Sequence, residues 1–203
     1  LDVFADSMIF KPLGMGTTFF NPPSNKMQRI VPTEFKPDGA IVHGYVHDEN
    51  AYSLGGVAGH AGLFSTAKDL AVFSQMMLND GLYGWKRIFK METVSEFTTK
   101  ANIVDDSSRL LGWDSPGGYA SGGIYLSDSS FGHTGFTGTS MWIDPEQGII
   151  VILLTNAVHP NRENKSPKYY DWRQRIHSGV YESLSIIDKN PNLKLRPRWE
   201  EGE

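Results

Sequence analysis

The sequence predicts a mixed α/β (α+β) fold in which an antiparallel sheet is flanked by helices. Three observations carry this reading. From residue 110 onward, short aromatic or β-branched segments alternate with Gly, Pro, Asp and Ser. On either side of that region apolar residues recur at helical spacing. Between the last two strand-like segments lies "DPEQG" (144–148), a turn that folds one strand back on the next.

Taken in order, residues 1–10 carry Leu1, Phe4, Met8 and Ile9 on one helical face, and Pro12 and Gly14 are expected to stop that helix. The chain opens inside this amphipathic pattern with neither an initiator Met nor a signal-type segment, so the expectation is a fragment of a larger protein. Residues 14–56 are rich in Pro, Gly, Asn and Asp without a sustained period, and "GGVAGHAG" (55–62) is a glycine-dense turn. A helix is predicted over 66–80, burying Leu70, Ala71, Phe73, Met77 and Leu78 and ending at Gly81. A second is predicted over 91–99, burying Met91, Val94 and Phe97. Strands are expected at "LLGWD", "GGIYLS", "SFGHTG", "TSMWID" and "GIIVILLTN". The last is apolar on both faces and reads as a central strand. A final helix over 169–188 aligns Tyr169, Trp172, Ile176, Val180, Leu184 and Ile187 in a stripe to lie on the sheet, and the polar tail after it is expected to be peripheral.

Composition narrows the function. The net charge of -4 and the lack of a basic run argue against nucleic acid as a partner. The longest apolar run, near 148–154, is far too short to be a transmembrane segment. With no cysteine, thiolate catalysis, disulfides and Cys-ligated zinc are excluded.

Two stretches bear on chemistry. "FSTAKDL" contains Ser65 and Lys68 at the S-x-x-K spacing of an activated serine nucleophile. The same letters make a helix start, with Ser65 or Thr66 as N-cap and Asp69 three residues after Thr66. The loop "VHGYVHDENAYSLGGVAGHAG" gathers His43, His47, Asp48, Glu49 and His60. Metal ligation, a surface turn and recognition of a polar ligand are all open to it, because the spacing of its histidines is not that of a helical metal site.

The most specific stretch is "FGHTGFTGTSMWIDPEQGIIVILLTN" (131–156), where the chain resembles the serine β-lactamase and penicillin-binding-protein-like hydrolases, in particular their class C-like esterase and peptidase branch. His133-Thr134-Gly135 matches the H-T-G form of that family's K-T-G or H-T-G triplet. "IFKPLGM" and "GGVAGHAGLFSTAKDLAVFSQMMLNDG" look like the segments that follow its catalytic tyrosine. The resemblance implies the β-lactamase-like fold, with residues 1–203 as the C-terminal portion of one hydrolase domain. Within it, 1–105 would be a helical and loop region, 106–190 the sheet with its C-terminal helix, and 191–203 a tail.

The resemblance also implies site roles. His133, Thr134 and Gly135 would line the active site on an edge strand, and the Phe136 N–H would be one oxyanion donor. Ser65 falls where the family has a helix cap, and no Y-x-N occurs. The nucleophile, its lysine and the tyrosine base are therefore expected in a missing N-terminal segment of the same protein, and this chain alone is expected to be inactive. "VHDENA" and "GVAGHAGLFS" look like the branch that cleaves the N-acetylmuramyl–L-alanine amide of muropeptides, which makes His47, Asp48 and His60 substrate-binding candidates. The expected partner is a small-molecule or muropeptide substrate, with no cofactor and no metal. Carboxylesterase and D,D-peptidase or β-lactamase activities share the scaffold. A non-catalytic peptidoglycan-binding module is the alternative outside enzymes.

Overall fold

The computed structural model describes residues 1–100, 107–117, 121–191 and 193–199. Among them, strands Phe131–Thr134, Ser140–Asp144 and Ile149–Leu153 form an antiparallel sheet in chain order. His133 lies opposite Met141, and Trp142 lies opposite Val151. Because successive side chains point to opposite faces, the sheet feeds two cores. Phe131 and Ile143 join Ala5, Phe10, Leu13, Met76 and Met77 on one face. Trp142, Ile149 and Val151 join Leu126, Tyr181 and Ile186 on the other.

The middle strand is Ser140–Asp144, and Ile149–Leu153, expected at the centre, stands at one end. Its apolar pattern records two covered faces rather than two strand neighbours, since Ile149 and Val151 enter one core while Ile150 packs against the other. Two expected strands are absent. Residues 110–114 contribute only isolated bridges at Asp114, one to Arg109 and one to Gly132, with which it exchanges hydrogen bonds of 2.7 and 3.0 Å. Residues 122–127 are buried turns. A Cβ at Gly122 would come within 2.4 Å of the Trp142 ring, and Gly123 takes φ +102°. The Ile124 N–H is satisfied by Ser178 Oγ at 3.1 Å instead of by a ladder.

At the N-terminus the helical run passes through a π-type turn, Asp6–Phe10, between Asp2–Ala5 and Lys11–Leu13. Pro12 does not stop it; Gly14 does, in the left-handed region at φ 72°. The wider turn breaks the 3.6-residue period. Ala5, Phe10 and Leu13 are buried, while the expected stripe of Leu1, Phe4 and Met8 is exposed.

Helix Ala67–Leu78 buries Met76 and Met77, together with Asp69 and Ser74. Helix Met91–Thr98 buries Val94 but leaves Met91 and Phe97 exposed. Helix Lys168–Ser183 turns a polar face inward: Arg173, Gln174, His177, Ser178 and Tyr181 are buried, and Trp172 and Leu184 are exposed. Three of the five meet polar partners across the interface. His177 meets Ser140, the Tyr181 hydroxyl donates to Asp144 Oδ2 at 2.9 Å, and Ser178 takes the Ile124 N–H. Ser185, at φ 53°, breaks the helix before Ile186–Lys189. The described tail residues, 193–199, are exposed or half-buried and are tied to the 122–127 turns by Arg196, whose N–H donates to Ile124 O at 2.8 Å and whose Nε donates to Leu126 O at 3.1 Å. The expected division near residue 105 lies outside the described residues.

Candidate active site

Phe131 pins the first strand by entering the core edge-on to Trp113, ring centroids 5.2 Å apart. The strand leads into a turn closed by two hydrogen bonds, Gly135 N–H to Thr139 O at 2.8 Å and Gly138 N–H to Gly135 O at 3.0 Å. Carbonyl and N–H of one trans peptide point in opposite directions. With the Gly135 carbonyl turned in toward Gly138, the Phe136 N–H of the same peptide must turn out, and it has no acceptor among the described residues. Gly135 has little room for a side chain, since a Cβ there would sit 2.2 Å from Thr139 Oγ1. His133 and Phe136 are exposed, and Thr134 and Gly135 are half-buried. The four residues thus form one open edge ending in a free donor.

His133 is held at both ring nitrogens. Arg109 lies 2.9 Å from its Nε2, and its Nδ1 lies 2.8 Å from the Thr134 carbonyl. Arginine can only donate and a carbonyl can only accept, so this arrangement places the proton on Nδ1. Arg109 also pairs with Asp114 at 3.1 Å.

The Phe136 ring is gripped from three directions. His47 meets it edge-on at 5.3 Å, the Arg162 guanidinium lies 5.3 Å from its centroid, and Lys165 Nζ lies 5.5 Å away. Lys165 Nζ also donates to the Phe136 carbonyl at 2.9 Å. Beneath this lies Glu34, which is buried. It accepts from the Arg162 backbone N–H at 2.7 Å and from Arg162 NH2 at 2.8 Å, and His47 Nε2 donates to it at 2.7 Å. Arg162 holds the Glu34 carboxyl far below the usual range, at about 2, with His47 adding to the effect against the opposing cost of burial. Lys165 is shifted down, chiefly by burial and then by the charge of Arg173.

The histidine loop is divided among separate contacts. His47 faces Glu34, and His43 donates to Ile30 O at 2.9 Å. Asp48 caps helix Glu49–Ser53 by accepting the Ala51 N–H at 2.7 Å, and exposed His60 donates to the same oxygen at 3.0 Å. The Asp48 carboxyl is lowered by that backbone bond first and by His60 second. Among the described residues no group of three or more His, Cys, Asp or Glu is placed to hold a metal.

Ser65 does not meet Lys68. Its hydroxyl lies 2.8 Å from Thr18 Oγ1, and Lys68 is exposed. The N-cap of the following helix is Thr66, which accepts the Asp69 N–H. A hollow of about 460 Å³ is lined by Thr17, Ser65, Thr66, Thr137, Thr139 and Asn156 among others, and one of about 770 Å³ by residues that include Glu34, Tyr45, Glu49 and Arg162; His47 borders both.

Arg109, Glu34, Arg162 and Lys165 carry no local signal in the sequence. Nor does the Ser140–His177 pair, 2.9 Å apart, which resembles a nucleophile and its base. Both residues are buried, so no substrate reaches them. Burial, then the charge of Arg173, pushes His177 down to about 4 and keeps it neutral.

A family model described as Beta-lactamase matches residues 1–175. Relatives from Escherichia coli (strain K12) and Salmonella typhi, both named "Putative D-alanyl-D-alanine carboxypeptidase", are 41% and 40% identical over 177 residues. These matches cover 78% of this chain and 40% of each relative, so the chain spans about two fifths of their length. Among solved structures, a mutant of simvastatin synthase from Aspergillus terreus superposes with a TM-score of 0.64 at 16% identity, covering 91% of this chain and 51% of that one. A penicillin-binding protein homolog from Caulobacter crescentus gives 0.62 at 16%, covering 90% and 52%. At that identity the two structures speak to the fold alone.

Proposed function

The chain belongs to the β-lactamase family, and on that premise we propose that the full-length protein is a serine hydrolase that opens an amide in cell-wall peptides through an acyl-enzyme. One observation carries the site: the outward, unpaired Phe136 N–H at the open end of the His133-Thr134-Gly135 edge. In this reading a serine outside these 203 residues attacks the carbonyl carbon. The displaced electron pair gathers on the carbonyl oxygen, held by the Phe136 N–H and the serine's own N–H. Collapse breaks the C–N bond, the amine leaves with a proton, and water then cleaves the acyl-serine ester. Residues 1–203 supply the oxyanion edge and its support, and half-buried Asp48 with exposed His60 form a pair available to a polar substrate.

The names of the relatives favour a D-alanyl-D-alanine peptide end as the bond cut. A second reading, cleavage of the N-acetylmuramyl–L-alanine amide, is favoured by the resemblance at 46–51 and 56–65. Rates on a D-Ala–D-Ala peptide, an N-acetylmuramyl-L-alanyl peptide, a short-chain ester and a β-lactam, measured on the full-length protein, separate them. Release of D-alanine is the expected result. Turnover of the ester with neither peptide cut would refute the cell-wall reading. The donor itself is tested by Phe136→Pro, which removes the N–H. It should fall at least about 100-fold below Phe136→Ala in acylation rate, the scale of a lost oxyanion donor.

A further inference from the structure

Phe136 has an awkward combination of duties. Its N–H must keep one direction, yet the residue is 53% exposed, so burial does not anchor it. We infer that Arg162 and Lys165 are positioning residues that clamp Phe136 by ring and carbonyl and so fix the direction of its N–H, an inference that rests on the hydrolase reading above.

The two cations come from one short stretch, the 3-10 turn Arg162–Asn164 and the residue after it. Lys165 fixes the plane of the peptide that follows Phe136 by donating to its carbonyl at 2.9 Å. Arg162 lies over the ring, which sets the direction of the Cα–Cβ bond. The peptide before Phe136 is already held through Gly135. With both flanking peptides and the side chain held, the residue has no free torsion about which the N–H could swing.

Arg162 can serve as an anchor because it is itself anchored. Its backbone N–H, Nε and NH2 all reach buried Glu34, and NH2 also reaches Glu49 at 2.9 Å. A planar fork on a carboxylate has little rotational freedom left. His47, bonded to the same carboxylate, closes the third side of the ring. This gives Glu34 and His47 a part at the site without contact with substrate.

The test is a double-mutant cycle in the full-length protein, read as single-turnover acylation by an activated ester, with Tm measured alongside. Arg162→Ala should slow acylation about 10- to 100-fold with an unchanged KM, the penalty expected for a reacting group displaced by up to about 1 Å. In a Phe136→Ala background the same substitution should change the rate by less than about threefold, because the group through which it acts is gone. Lys165→Met keeps the stem and loses the bond, and should slow acylation with Tm intact. Arg162→Lys keeps the charge without the fork and should recover only part of the rate. If Arg162→Ala does not fold, these two variants carry the test. A wild-type acylation rate in Arg162→Ala, or in both Lys165→Met and Arg162→Lys, would overturn the inference. So would a penalty of equal size with and without the Phe136 ring. An unsubstituted protein that forms no acyl-enzyme would overturn the hydrolase reading and this inference with it, whereas normal acylation with unaffected variants would overturn this inference alone.

Discussion

Replacing Thr66 with Ala removes the oxygen that accepts the Asp69 N–H, a helix-cap bond, and should cost about 1 kcal/mol in equilibrium urea denaturation. Lys68→Ala should stay within about 0.5 kcal/mol, because Lys68 is exposed and its side chain makes no hydrogen bond among the described residues. Asp69→Ala should cost the most, about 3 kcal/mol or more. Its buried carboxylate accepts the Thr17 N–H, the Thr17 hydroxyl and the Thr18 hydroxyl at 2.8–2.9 Å; the N–H would lose its acceptor outright, and the hydroxyls would keep only Thr66 and Ser65. A Lys68→Ala loss as large as that of Thr66→Ala would mean that the S-x-x-K letters have a role the cap does not explain. At this scale the sequence is readable where the contact is local. Thr66 and Asp69 are three apart and announce a helix start, but Thr17 and Asp69 are 52 apart and announce nothing. The same holds at the site: His133-Thr134-Gly135 is legible as letters, and Arg109 against His133, 24 residues away, is not.

Among the elements, helix Lys168–Ser183 is where periodicity gave the right element and the wrong face. Its apolar stripe was easy to count, but the inward face is decided by hydrogen-bond partners on the sheet and the 122–127 turns, far off in sequence. The π-type turn Asp6–Phe10 misled in a different way, by shifting the period inside a helix that was otherwise predicted. The buried polar face makes stability sensitive to pH. His177 titrates at about 4 in the folded chain against an ordinary 6.5, with burial and Arg173 as the causes. Between those values the unfolded chain binds a proton that the folded one refuses. The contribution is therefore complete above about 6.5 and is lost as pH falls toward about 4. His177→Gln should flatten the Tm profile in that window. An unaltered slope would mean that the acid sensitivity originates elsewhere.

At the scale of the whole molecule, Glu34 joins regions that the sequence keeps apart, since its partner Arg162 is 128 residues away and His47 sits on a third segment. The sheet could be read from alternation and turns, because a strand and the turn after it are neighbours in sequence. This junction could not, because one glutamate in a loop without a period looks like any solvated charge. Its energetics follow from its burial. A carboxylate taken out of water needs its cations, and breaking such a pair by removing one partner leaves the other uncompensated. Arg162 holds the Glu34 carboxyl at about 2, below its ordinary 4.5. The folded chain thus keeps Glu34 ionised where the unfolded chain has protonated it. The stabilisation is complete above about 4.5 and disappears as pH falls toward about 2, a window below that of His177. Glu34→Gln should lower Tm at neutral pH, where Arg162 loses its counter-charge, and should remove the slope between about 4.5 and about 2. Because Arg162 also leans on the Phe136 ring, the same variant should slow acylation at neutral pH. A Glu34→Gln protein with the wild-type acid slope would show that this carboxylate is not what makes the junction acid-sensitive, the Phe35 N–H to Pro160 O and Asn156 to Pro32 O bonds joining the same segments without it.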